Sequence, residues 1–161
     1  MKTEIDTLKA KHTWDLVKPP PDTNIIDSMW IYNIKWDGEK NQIKDRLVGK
    51  RYTQQLRVDY NKTWAGVTCL KSVCMTTAIA TKLNLKLWRL NLVGAYLNNL
   101  TKENIYMKQP KGFVKPGYED YVCKLIHMIY GMMQGRHNWY ETLSKTYNDL
   151  GYTMSCTDSC V

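Results

Sequence analysis

Two alternating runs that face each other across a turn constrain this chain most. Trp30, Tyr32, Ile34 and Trp36 are spaced by two, with polar or smaller residues between them. That is the period of a half-buried strand. Asp37-Gly38 then supplies turn chemistry. Beyond the turn, Lys44, Arg46, Val48 and Lys50 share one face of a second strand while Ile43, Asp45 and Leu47 share the other. The two runs predict a hairpin with a basic face. Between Lys35 and Arg57 the basic residues Lys35, Lys40, Lys44, Arg46, Lys50, Arg51 and Arg57 outweigh Asp37, Glu39 and Asp45 by +4, half of the chain's +8. Charge counting by itself reads such a stretch as a solvated face; the same excess also suits a polyanionic partner.

The strongest punctuation is Pro19-Pro20-Pro21-Asp22, which divides an N-terminal segment, residues 1–22, from one domain over residues 23–161. Ile5 and Leu8 predict a short amphipathic helix in the first segment, with an extended exit near Trp14. In the domain, Leu70, Val73, Cys74, Thr77, Ala80 and Leu83 recur at helical spacing, so a helix over about 70–84 is expected to turn this stripe, with Cys69 and Cys74, into the core. Trp88, Leu90 and Leu92 alternate with Arg89 and Asn91, predicting a strand over 87–92. Short strands are expected at 105–107 and 121–125, flanking a loop with Pro110, Gly112, Pro116 and Gly117. Trp139, Tyr140, Leu143, Tyr147 and Leu150 form a last helical stripe, stopped by Gly151. Helices and strands mix without a βαβ rhythm, which predicts an α+β fold.

The 161 residues, 43% of them apolar, suffice for a core without disulfides. Five cysteines lacking CxxC spacing read as reduced thiols of an intracellular protein, in cytoplasm or nucleus. Charges interleave residues 1–11, so the apolar stretch of a secretory signal is missing, and nothing approaches a membrane span. His12, His127 and His137 show no ligand spacing with the cysteines, and Cys156-x3-Cys160 alone is a weak metal signal, so no metal site is expected.

Ordered motifs along almost the whole chain carry a further reading. Glu4-Ile5-Asp6 is followed by Thr13-Trp14-Asp15-Leu16-Val17 and the prolines, then by residues 43–54, IKDRLVGKRYTQ, and Val58-Asp59-Tyr60. After these come residues 90–98, LNLVGAYLN, residues 105–113, IYMKQPKGF, Asp120 to Leu125, Tyr130-Gly131-Met132-Met133-Gln134, and Trp139-Tyr140. In this order they resemble the reverse transcriptase domain of copia-type retrotransposons. The resemblance implies the fingers and partial palm of a right-hand RNA-directed DNA polymerase, lacking the catalytic hairpin and thumb.

In that family, phosphoryl transfer uses two magnesium ions about 3.5–4 Å apart on carboxylates. The first such Asp stands where this chain has Asn91, a neutral and far weaker ligand. The other pair lies on a Tyr-x-Asp-Asp hairpin that the resemblance places past the end of this chain, so no magnesium and no catalysis are expected here. Lys44 and Arg46 would face a nucleoside triphosphate; Ala95 and Tyr96 would lie beneath it and gate the ribose; Gln134 would pack beside it. Taken alone, Tyr96 reads as a core aromatic and Gln134 as a polar residue at a helix N-terminus. Lys50 and Arg51 would bind nucleic acid without sequence preference. Val93, Met133, Lys62, Gly66 and the pair Arg136-His137 depart from the family pattern and read as drift. An incomplete palm would leave apolar surface for self-association, and a non-enzymatic nucleic-acid binder, an interaction fragment or a remnant with no molecular role are the rival readings.

Overall fold

The computed structural model describes residues 1–36, 38 and 41–161. Helix α1 (Lys2–Ala10) leads into β1 (Trp14–Val17), then β2 (Ile25–Ile26), β3 (Ser28–Trp36), β4 (Asn41–Gly49), α2 (Leu70–Lys82), β5 (Tyr106–Lys108), β6 (Val122–Leu125) and α3 (Gly135–Asp149). Single 3-10 turns occupy Arg51–Thr53 and Ala95–Asn98. The mixture is α+β.

A four-stranded sheet in the order β1-β6-β5-β2 carries the core. Strands β1 and β6 run antiparallel, with Trp14 opposite Leu125, and β5 pairs with β6 so that Met107 faces Cys123. The two-residue β2 lies parallel to β5. Ile5 and Leu8, one turn apart on α1, pack with Ile26, Leu47, Ile105, Met107, Leu125, Met128 and Ile129. Burying each such side chain is worth about 1.5–3 kcal/mol. Thr13 ends the helical entry, its hydroxyl donating to the Leu8 carbonyl at 2.7 Å. Cys123 is enclosed in this core, and burial pushes its thiol up to about 12, leaving it an inert hydrophobe.

The hairpin forms as β3 and β4, from Ser28 opposite Gly49 to Trp36 opposite Asn41. Paired residues share a face, so Lys44 and Arg46 lie with Asn33 and Ile31, as the alternation predicts. Of the expected turn, Gly38 takes a left-handed φ of +75°, while Asp37 lies outside the described residues. The aromatic face differs from expectation. Trp30 is half-buried, donating from Nε1 to the Lys111 carbonyl and tilting against Phe113. Tyr32, Ile34 and Trp36 are exposed, Trp36 by 74%. The hairpin outgrows the sheet that covers its base.

Two further expectations fail for one reason. Helix α2 forms at the predicted place, but of its stripe only Ala80 is buried; Leu70 is 75% exposed, and Val73, Leu83, Cys69 and Cys74 are also exposed. The strand expected over 87–92 is irregular, with Leu90 83% exposed. A strand needs a neighbour to accept its ladder of hydrogen bonds and a helix stripe needs a facing surface. Among the described residues neither finds one. The short strands appear at 106–108 and 122–125. Helix α3 begins before the predicted stripe and stops ahead of Gly151, whose φ is +89°. Tyr147 on it and Leu150 just after it are exposed.

Candidate functional site

The base of the hairpin meets the turn before α3, and the chemistry-bearing residues gather at that junction. The Gly49 amide donates to the Tyr130 carbonyl at 2.8 Å. Gly131 turns the chain at φ +85°, so close to β4 that a Cβ there would collide with Val48 Cγ1 and lie 2.5 Å from the Gly49 carbonyl oxygen. That close approach brings the Arg46 guanidinium to 5.2 Å from the Tyr130 ring centroid. Tyr130 in turn stands edge-on to Tyr96, with centroids 5.4 Å apart, and Tyr96 packs over Gly135. Arg46 is therefore held by a cation–π contact, and Tyr96 is a half-buried wall.

A cavity of about 530 Å³ opens beside this stack. Lys50, Arg51 and Arg136 line it together with Tyr52, Thr63, Tyr96 and Gly135, and among the described residues no acid lines it. Lys50 is steadied by Asp27 at 3.5 Å, and Lys108 holds the other oxygen of that carboxylate at 3.0 Å. The hydrogen bond from Lys108, followed by the charges of Lys108 and Lys50, keeps the Asp27 carboxyl below its usual range. Tyr96, Lys50 and Arg51 thus converge, as residues singled out from sequence.

The remaining candidates lie elsewhere. Lys44 is exposed further out on the hairpin, and neither it nor Arg46 lines the cavity. Ala95 is half-buried outside the lining. Asn91 is exposed in the irregular stretch after α2, not on a strand. Gln134 is 1% exposed and acts as a brace: its Oε1 accepts from Gln54 Nε2 at 3.1 Å and its Nε2 donates to the Asp59 carbonyl at 2.8 Å. Gln54 Oε1 accepts from the Met133 amide, and the Asp59 carboxylate accepts from Asn24 and the Gln55 amide. This network pins the 54–59 segment under α3 and leaves Gln134 facing protein. Arg136 is the residue that the sequence reading set down as drift. Its signal was a cation directly after Gln134-Gly135, at the start of a helix.

A larger cavity, about 1030 Å³, lies between residues 63–68, α3 and residues 152–161. Trp64 stands edge-on to Tyr140 at 5.6 Å, and the Tyr140 hydroxyl donates to the Ser159 carbonyl at 3.1 Å. Asp158 accepts from the Cys69 and Cys160 amides, both at 3.0 Å. A hydrogen bond from Ser72, then those two amides, hold its carboxyl below the usual range. Among the described residues, no three His, Cys, Asp or Glu side chains come together as a metal ligand set. Nor is any helix there long and apolar enough to cross a membrane.

Comparison with known proteins places the chain in a family. Residues 11–161 match the family model described as reverse transcriptase (RNA-dependent DNA polymerase). The chain is 35% identical over 99% of its length to the retrovirus-related Pol polyprotein from transposon RE2 of Arabidopsis thaliana, and 34% identical over 99% to that from transposon RE1 of the same plant. It is 29% identical over its whole length to the Pol polyprotein from transposon TNT 1-94 of Nicotiana tabacum. It spans 11–12% of the length of these relatives. No solved structure matches it. A match that runs through hairpin, junction and last helix in one order means that the chain belongs to the reverse transcriptase family, on the copia-type retrotransposon branch.

Proposed function

We propose that these residues are the fingers and part of the palm of a retrotransposon reverse transcriptase, and that the chain binds nucleic acid and nucleotide phosphate without catalysing DNA synthesis. The observation that carries the binding is the cavity where Lys50, Arg51 and Arg136 meet Tyr96 with no acid among the described lining residues, beside a hairpin bearing Lys44 and Arg46. Clustered cations next to an aromatic wall suit phosphate and base together.

The absence of catalysis follows from the donor set. Magnesium pairs need anionic oxygens held close together. Asn91 offers a neutral amide on an exposed, irregular segment, and no carboxylate cluster accompanies it among the described residues. These residues do not fit the magnesium pair of the family. Incorporation of labelled nucleotide on a primed RNA or DNA template, with magnesium or manganese, is expected to equal the protein-free control. Asn91→Asp is expected to leave it there, since one carboxylate cannot hold two metals. Templated extension above the control overturns the reading.

The exposed stripe of α2 and the apolar residues 85–93 support a second proposal, self-association. Light scattering over a concentration series is expected to give a mass that rises above the 18.9 kDa monomer. A mass that stays monomeric throughout overturns it.

A further inference from the structure

His137 stands in the first turn of α3 with both ring nitrogens engaged. Its Nδ1 lies 2.7 Å from the Trp64 carbonyl oxygen, and its Nε2 lies 3.2 Å from Oε1 of Glu141, one turn further along the helix. A backbone carbonyl and a carboxylate only accept hydrogen bonds, so the ring satisfies both only when each nitrogen carries a proton. Glu141 is well prepared as the anionic partner. Lys102 grips its second oxygen, and that hydrogen bond, with the charges of His137, Lys102 and Lys62, holds the carboxyl below its usual range.

The other contact reaches the wall of the larger cavity. Trp64 belongs to the stretch 63–68 that lines it, and the neighbouring Thr63 lines both cavities. Trp64 is 66% exposed, and its ring touches the rest of the protein edge-on at Tyr140. The His137 bond to its carbonyl ties this wall to α3, beside the close packing of Gly66 against the Tyr140 ring.

We propose that His137 is a protonation latch: as an imidazolium it ties the Trp64 wall to α3, and losing one proton releases that wall. The remaining proton stays with the carboxylate, the stronger acceptor. The bare Nδ1 lone pair then faces the lone pairs of the Trp64 carbonyl, and the contact turns repulsive. The charged groups facing this site are Glu141 and Arg136 on α3, Lys102 from the segment before β5, and Lys62 on the wall segment. The wall is tied to α3 on the acid side and freed from it as pH rises. The inference is independent of the nucleotide reading, because it concerns a different cavity and needs no ligand.

The test follows the Trp64 indole N–H by NMR in the whole chain, identified by its loss in Trp64→Phe, from about pH 5 to about pH 8, where imidazole changes charge. One transition is expected, with the midpoint of the His137 ring signals. His137→Arg, cationic with several donors at every pH, is expected to hold the acid-side position throughout. His137→Gln, neutral at every pH, is expected to hold the alkaline-side position. A Trp64 signal that shows no transition, or one that persists unchanged in His137→Arg, overturns the latch. A transition in Trp64 that follows the ring signals of His12 or His127 instead overturns it equally.

Discussion

Replacing Lys44, Arg46, Lys50 and Arg51 together by alanine is expected to lower the salt dependence of nucleic-acid binding by two to three units of slope in log affinity against log salt, at about 0.7–0.9 for each phosphate that is no longer neutralised. The change should fall short of four full phosphates because two of these cations are already committed. Arg46 lies over the Tyr130 ring and Lys50 is held by Asp27. Lys44 and Arg51, both exposed, should account for most of it. A control variant replacing Lys71, Lys82 and Lys86, on and just after α2, removes comparable charge away from the hairpin. It is expected to change the slope by less than half as much. The measurement is a titration of a labelled duplex at several salt concentrations. An unchanged slope in the quadruple variant would mean that the hairpin is a solvated basic face.

The second large effect is expected at Gly131. A methyl group there collides with Val48 Cγ1 and meets the Gly49 carbonyl oxygen at 2.5 Å. The backbone oxygen cannot rotate away, so either β4 moves or the turn does. The left-handed φ adds about 1 kcal/mol and overpacking about 1–3 kcal/mol, so Gly131→Ala is expected to cost about 3 kcal/mol. Domain stabilities are about 5–15 kcal/mol. For a domain of this size that corresponds to a fall of about 10 °C in Tm. Gly112 supplies the comparison, since it has the same φ of +85° and nothing within 4 Å of the added carbon. Gly112→Ala should show the backbone cost alone, about 1 kcal/mol. Equal losses in the two variants, read by thermal or denaturant unfolding, would refute close packing at Gly131. The same substitution should free the hairpin base and with it the Arg46 contact to Tyr130.

What the sequence determined by itself is what depends on neighbours along the chain. The alternation of Lys44, Arg46 and Val48 against Ile43, Asp45 and Leu47 requires that the basic residues share a face, and a hairpin closed at Gly38 realises it. Ile5 and Leu8 sit one helical turn apart, and α1 buries both. Leu70 to Lys82 has helical periodicity and is a helix, because its hydrogen bonds are internal. The ordered motifs named the family. Only the tertiary structure decided which of these faces found a partner. The same helical stripe that α1 buries is exposed on α2, and Trp88, Leu90 and Leu92 alternate correctly yet form no strand, since a ladder needs a second chain segment beside it. Gln134 carries the family motif in its sequence, but whether its amide meets a nucleotide or Gln54 and Asp59 depends on a loop some 75–80 residues away. Arg136, which reads as drift in the sequence, becomes the third cation of the cavity because α3 starts where β4 ends in space. Periodicity is a local property of the chain, whereas burial and convergence depend on contacts between distant segments, and those exist only once the chain has folded.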